Sequence, residues 1–344
     1  QEDKSMARLK AAVIGCGAIA QNCHLPGYQK SKACELIAAA DPCETRRKEA
    51  EKIFGAARTY ATAEALFENE RPDVVSICTP NRFHSEQAVL ALEHGCHVLC
   101  EKPLCLTLTE ARKIQKARDK AGTVFMTAFT HRLYRGNVTA KKLVDRGEIG
   151  KPFMIRVRFA HEGPQPGWAM SDWFYNPDLA GGGAMLDMGI HAIDLAHYYI
   201  GPITAVSAVI KTLIKDIAVE DNAVLLLEFE QNCLGYIEVG WTSKPGFSGI
   251  EIYGTKGTII FDYLKELSVL RGRTSPDGTV KTSWRVVDKQ PTVGGWEVEI
   301  DYFLRHVRKG IQPEESLEAG IQGLVVALAA YKSAQTGKRV EIQG

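Results

Sequence analysis

"LKAAVIGCGAIA", residues 9–20, decides how this chain is built. Its first six residues are short and mostly apolar, as a buried strand is, and "GCGAIA" follows at once with GxGxxA spacing. Glycines alone mark turns. Here they stand between a predicted strand and a predicted helix, at the start of a strand–helix–strand unit, and that context gives the spacing a meaning. Gly15 makes the tight turn, Gly17 lets a pyrophosphate approach the backbone, and Ala20 permits close helix packing. Ala18 and Ile19 open a helix whose first N–H groups face the phosphates. A dinucleotide site also needs a carboxylate after the second strand for the adenosine ribose, and "CELIAAAD" ends on Asp41. That charge repels a 2′-phosphate and so favours NAD over NADP, whereas Arg46 and Arg47 nearby pull the other way.

Outward from this loop, strands and helices alternate strictly as far as "VFMTAF". The predicted strands are "LKAAVIG", "CELIAAAD", "ARTY", "DVVSICTP", "HVLCEKP" and "VFMTAF". Such alternation implies a doubly wound parallel sheet with helices on both faces. Thr107 and Glu110 form a capping box at the start of the helix "TLTEARKIQKARDKAG". Beyond residue 130 the strand candidates are "PFMIRVRFAH", "ITAVSAVIK", "NAVLLLEFE", "LGYIEVGW", "IEIYGTKGTIIFD" and "WRVVD", with a helix around Asp187 after the first. The expectation is α/β followed by α+β: a nucleotide-binding domain over 7–129, then a domain over 130–344 with a large, mostly antiparallel sheet and helices on one face. An open sheet face there suits a homo-oligomer.

Composition narrows the class further. The 344 residues carry a formal net charge of +1, with 45% hydrophobic and 24% charged residues, as in an ordinary globular protein. Neither a basic excess for nucleic acid nor an apolar run long enough for a bilayer is present. The start, "QEDKSMARLK", reads as a flexible leader without a signal peptide's apolar stretch. Nine cysteines, an odd number and several in predicted buried strands, fit free thiols in a reducing cytoplasm.

Ligands of open α/β sheets gather at the carboxyl ends of the strands. "CTPNRFH" places Thr79, Pro80, Asn81 and His84 there, and "CEKPL" places Glu101 and Lys102 beside them. A lysine next to an oxidised nicotinamide has a depressed pKa and serves as proton acceptor or as anchor for a hydroxyl. "LAGGGAMLDMGIHAIDLAHYYIG", residues 179–201, puts Asp187, His191, Asp194 and His197 on one helix. Spacing alone leaves three readings: a metal on Asp187, His191 and Asp194; an acid/base pair; or polar residues of a structural helix.

Taken in order, "GCGAIA", "CTPNRFH", "EKP" and "GGGAMLDMGIHAIDL" resemble the Gfo/Idh/MocA oxidoreductases, over nearly the whole chain. The resemblance implies a Rossmann domain, a nicotinamide cofactor, a homodimer or homotetramer built through the C-terminal sheet, and reversible oxidation of a secondary alcohol on a sugar or cyclitol. It makes Lys102, Asp187 and His191 the catalytic residues and places Arg132 near cofactor and substrate. His191 is then the base, Lys102 stabilises the developing alkoxide, and Asp187 orients them or the substrate. No metal is expected, and Asp194 and His197 become structural. Trp168, Trp173 and Trp241 are candidates for stacking on a sugar, and His161 and Glu162 for binding its hydroxyls; Arg132 and Arg135 leave a phosphorylated substrate open. Two other activities share these motifs: an NAD-dependent glycoside hydrolase and a non-catalytic nucleotide-binding regulator.

Overall fold

A computed structural model describes residues 7–165, 169–244, 246–274 and 279–342. In the first part, strands β1 (Leu9–Ile14), β2 (Cys34–Ala40), β3 (Arg58–Tyr60), β4 (Val74–Ile77), β5 (His97–Cys100) and β6 (Phe125–Thr127) form one sheet. All pairs are parallel and the order is β3-β2-β1-β4-β5-β6, the Rossmann arrangement. Helices α1 (Leu25–Lys30), α2 (Glu44–Lys52), α3 (Ala63–Asn69), α4 (His84–Glu93) and α5 (Leu108–Ala121) alternate with the strands. Successive residues of β1 face opposite sides, Ala12 and Ile14 one core, Ala11 and Val13 the other. That is why the strand reads as an apolar run. The capping box at Thr107 and Glu110 forms as expected; such a cap is worth about 1 kcal/mol.

The second sheet follows a helix that the sequence reading did not place, α6 (Arg135–Asp145). Its strands are β7 (Pro152–Ala160), then, after α7 (Pro177–Ala180) and α8 (Ile190–Ile200), β8 (Ile203–Lys211), β9 (Asn222–Phe229), β10 (Leu234–Gly240), β11 (Phe247–Gly254), β12 (Gly257–Asp262), β13 (Leu267–Thr274) and β14 (Val280–Asp288). A short β15 (Val340–Glu341) completes nine strands in the order β14-β13-β12-β11-β7-β10-β9-β8-β15. Only β7 and β10 pair in parallel; the other pairs are antiparallel. "IEIYGTKGTIIFD", read as one segment, is a hairpin of β11 and β12. The expected mostly antiparallel sheet is therefore present, with two strands, β13 and β15, that the sequence did not suggest and one segment that divides into a hairpin.

One face of this sheet packs on α8 and on the chain's last helix through Ile155, Val157, Leu225, Ile237, Ile190 and Ala327. The opposite face is open. Val209, Val224 and Leu226, paired across β8 and β9, are 60, 39 and 59% exposed.

Two closing helices return to the first sheet. From α9 (Trp296–Lys309), Ile300, Phe303, Leu304 and Val307 enter the same core as Leu25 and Tyr28 of α1. Each such side chain contributes roughly 1.5–3 kcal/mol relative to exposure. α10 (Leu317–Thr336) is wedged between the sheets, with Leu317 and Leu324 in the first core and Val326 and Ala330 in the second.

Candidate active site

At the end of β1 the chain turns at Gly15, with φ +87°. A Cβ there would lie 2.7 Å from the backbone of Cys78 and Thr79 at the end of β4, so no other residue fits the turn. Gly17 differs: a Cβ on it would meet nothing within 4 Å, because that side faces open space in front of the loop. Asp41, after β2, accepts the Cys16 N–H on Oδ2 and the Cys43 N–H on Oδ1, each at 2.8 Å. Both oxygens keep a lone pair for a further donor. Arg46 lies 4.0 Å from that carboxylate. A loop with an open glycine, free helix N–H groups and an oriented carboxylate fits a dinucleotide.

This loop forms one end of a cleft of about 1320 Å³. Gly15, Gly17, Ala18, Ile19, Asp41, Arg46, Thr79, Pro80, Asn81, His84, Glu101 and Lys102 all line it, and so do Asp187, His191, His161 and Trp173. The loops after β4 and β5 are tied together by His84, whose ring nitrogens lie 2.8 and 2.9 Å from the carbonyl oxygens of Pro103 and Thr79. Glu101 turns inward to buried His24 at 2.9 Å, and it also accepts the Lys102 N–H at 3.2 Å. Glu101 is thus a brace behind Lys102. Asn81 donates to the Ala180 carbonyl at 2.8 Å, linking this loop to α7.

Asp187 sits in a π-type turn, Met185–Gly189, that leads into α8. Such turns recur at functional sites because they shift the side chains that follow. Glu220 fixes its start: Oε1 accepts the N–H groups of Gly183 and Met185 at 2.8 and 3.1 Å, and the Tyr331 hydroxyl donates to it at 2.7 Å. A carboxylate at a helix N-terminus also opposes the helix dipole. Gly183 has no alternative here, since a Cβ would lie 2.0 Å from the Glu220 carbonyl oxygen.

The Lys102 ammonium donates to Asp187 Oδ1 at 2.6 Å and to its carbonyl at 3.1 Å. Trp241 donates its indole N–H to Asp187 Oδ2 at 3.3 Å. Trp241 is therefore a buried partner of the aspartate, and it also lines the cleft. His191 is 6% exposed and lines the cleft, and its Nδ1 has no hydrogen-bond partner. Burial, then His131 and Lys102, hold its pKa well below the usual histidine value. The imidazole is accordingly neutral and able to accept a proton.

Arg132, expected near the substrate, turns into the interior instead. It makes two bonds to Asp194, at 2.8 and 2.6 Å, and it is absent from the cleft wall. Arg135 likewise pairs with Asp288 at 2.6 Å. The donor set weighed for a metal does not converge, because Asp194 faces Arg132 while Asp187 faces Lys102. His161 and Trp173 do reach the cleft, as does Glu162, and Gly163 donates its N–H to His161 Nδ1 at 2.8 Å. Trp168 lies outside the described residues. Sequence reasoning missed His131, which stands four residues after the end of β6 and packs against His191 with ring centroids 4.4 Å apart and the rings tilted by 32°. The rule that ligands lie at carboxyl ends of strands would have found it.

Comparison with known proteins agrees with this geometry. Residues 9–129 match the oxidoreductase family with an NAD-binding Rossmann fold, and residues 137–260 match the GFO/IDH/MocA C-terminal domain. The chain belongs to the Gfo/Idh/MocA oxidoreductases. Among relatives in this family is D-glucoside 3-dehydrogenase of Escherichia coli strain K12, 30% identical, with 97% of each chain covered. Myo-inositol 2-dehydrogenase of Thermotoga maritima is 28% identical over 97% of this chain and 99% of its own. Among solved structures, levoglucosan dehydrogenase in complex with NADH and levoglucosan superposes with a TM-score of 0.86, at 25% identity over 98% of this chain and 100% of its own.

Proposed function

We propose that the protein is an NAD-dependent dehydrogenase of a neutral sugar or cyclitol, oxidising a secondary alcohol reversibly. The observation that carries this reading is the group of Lys102, Asp187 and neutral His191 in one cleft with the nucleotide loop. A nicotinamide bound at the Gly15–Gly17 loop and Asp41 would supply the acceptor for a hydride from the carbinol carbon. His191 takes the hydroxyl proton, and the Lys102 ammonium, held by Asp187, donates to the oxygen as negative charge develops on it. Asp41, fixed by two backbone N–H groups, supports NAD over NADP. The cations that the sequence offered for a phosphate, Arg132 and Arg135, are both paired with carboxylates, and this supports an uncharged substrate.

Residues 7–129 serve as the cofactor-binding unit, and 130–344 as the substrate-binding and oligomerisation unit, which lends α9 and α10 back to the first. The open face with Val209, Val224 and Leu226 supports a homodimer or homotetramer through the nine-stranded sheet. Sedimentation of the wild type should give a dimer or tetramer and Leu226→Asp a smaller species; a monomeric wild type sinks this part. Nine cysteines without a disulfide support a cytoplasmic setting, and among the described residues no helix is long and apolar enough to cross a membrane.

The test is NADH formation with a panel of sugars, cyclitols and glycosides, followed by a pH profile on the best substrate. The base must be neutral to act, and its pKa lies well below 6.5, so kcat/KM for oxidation should stay level from pH 8 down through 6.5. An acid limb centred near 6.5–7 would show that His191 is not the base or is not desolvated in this way. Release of a chromogenic aglycone without added NAD would favour the glycoside hydrolase. If no nucleotide is reduced and calorimetry detects no cofactor binding, the enzyme reading fails.

A further inference from the structure

A buried chain of hydrogen bonds runs from α8 through α6 to the cleft, and its direction can be read. The Asn137 side-chain N–H₂ lies 2.7 Å from the His131 carbonyl oxygen and 2.8 Å from the Tyr263 hydroxyl, and its Oδ1 lies 2.6 Å from the Tyr199 hydroxyl. A carbonyl oxygen only accepts, so the amide can stand in one orientation alone. Tyr199 therefore donates to Asn137, and Asn137 donates to His131 and to Tyr263. The Tyr263 hydroxyl, which accepts this hydrogen bond from Asn137, has its own O–H free to donate to His131 Nδ1 at 3.2 Å. In that arrangement Nδ1 is an acceptor and the ring's proton sits on Nε2.

His131 lines the cleft with Lys102, Asp187 and His191, while Tyr263 and Asn137 lie behind it. No described protein group bonds its Nε2. We propose, resting on the dehydrogenase reading above, that His131 is a further substrate-binding residue: its Nε2–H, fixed by Tyr263, donates to the oxygen next to the reacting hydroxyl. The tilted contact with His191, 4.4 Å between ring centroids, sets the two imidazoles close enough to reach neighbouring oxygens of one substrate. The substrate class that fits is a vicinal diol, one hydroxyl giving its proton to His191 and its neighbour accepting from His131.

Every group facing the ring is consistent with a neutral donor. Tyr134, Phe159, Tyr263 and His191 surround it with aromatic surface, and Lys102 is the nearby cation while Asp187 opposes it. Burial, then Lys102, lower its pKa to about 3, and burial keeps the Tyr263 hydroxyl protonated. A neutral imidazole N–H is a donor that does not part with its proton at working pH, so His131 does not compete with the base.

The test has two readouts. In long-range ¹⁵N–¹H spectra of ¹⁵N-histidine protein with NAD bound, the signals lost in His131→Gln identify His131, and they should show the Nε2–H tautomer unchanged from pH 8 to 5.5. Tyr263→Phe should mix the tautomers. In kinetics, His131→Ala should raise KM for a vicinal diol by roughly 10–100-fold with kcat little changed. It should leave KM for the corresponding deoxy substrate unaltered, and His131→Gln, which keeps a donor, should recover part of the loss. A wild-type His131 found as imidazolium or as the Nδ1–H tautomer at pH 7 overturns the proposal. So does an active enzyme whose KM for the diol ignores His131→Ala. Wild type that reduces no nucleotide overturns the dehydrogenase reading instead, and the substrate role falls with it; the tautomer spectrum needs no substrate and tells the two failures apart.

Discussion

Lys102→Ala should lower kcat/KM for alcohol oxidation by roughly 10²–10⁴-fold, the range that a positioned proton-transfer or charge-stabilising group supplies. Two effects add. The ammonium that meets the developing alkoxide is lost, and the Asp187 carboxylate, 13% exposed and bonded to it at 2.6 Å, is left as uncompensated negative charge beside the same oxygen. Lys102→Arg should recover little, because a planar fork does not reproduce the paired contacts to the Asp187 carboxylate and carbonyl. NADH affinity, measured by fluorescence titration, should change far less. The Gly15–Gly17 turn and Asp41, to which we assign the nucleotide, stand at the other end of the cleft. A decrease in kcat/KM below tenfold would mean that Lys102 serves only as a prop for Asp187.

The second large effect is on stability. Arg132→Met should cost about 3–5 kcal/mol in denaturant unfolding, since it strands the Asp194 carboxylate in the interior. Arg132 and Asp194 are 6 and 3% exposed and share two bonds, at 2.8 and 2.6 Å. Burial works against the guanidinium's charge, but the facing Asp194 carboxylate outweighs it and raises the pKa further. Tyr198 stacks at 5.0 Å from the guanidinium carbon, and the Glu314 carbonyl accepts another bond at 3.2 Å. Replacing both partners, Arg132→Met with Asp194→Leu, removes the stranded charge and should restore most of the loss. A double variant no more stable than the single one would refute this account.

How far the sequence could be read follows from what each signal measures. The parallel sheet was legible because burial on both faces leaves continuous apolar runs such as Ala11–Ile14 and Val98–Cys100. β13 was not, since "LSVLRGRT" mixes arginines and a glycine and has one face open. α6 was hidden by Gly136, Asn137, Val138 and Thr139, weak helix formers that tertiary packing overrides. At the site, Lys102, Asp187 and His191 meet the cleft as their motifs implied. Arg132 did not follow, because sequence shows that an arginine lies near a loop but not that a carboxylate seven residues beyond Asp187 will claim it. His131 was passed over for the same reason in reverse: its neighbour carried the charge and drew the attention.

The return of α9 and α10 to the first sheet has a consequence for synthesis. A ribosome releases the chain from its N-terminus, and domains ordinarily fold as they emerge. Here the first core waits. Phe303 and Leu304 complete one face of the Rossmann sheet, and Leu317 and Leu324 the other, so the strands made earliest keep apolar surface uncovered until nearly the whole polypeptide is available. The contacts that close the nucleotide-binding half span much of the sequence, which slows folding and lengthens exposure to aggregation. The nascent N-terminal half therefore exposes apolar surface that only the last helices of the chain cover.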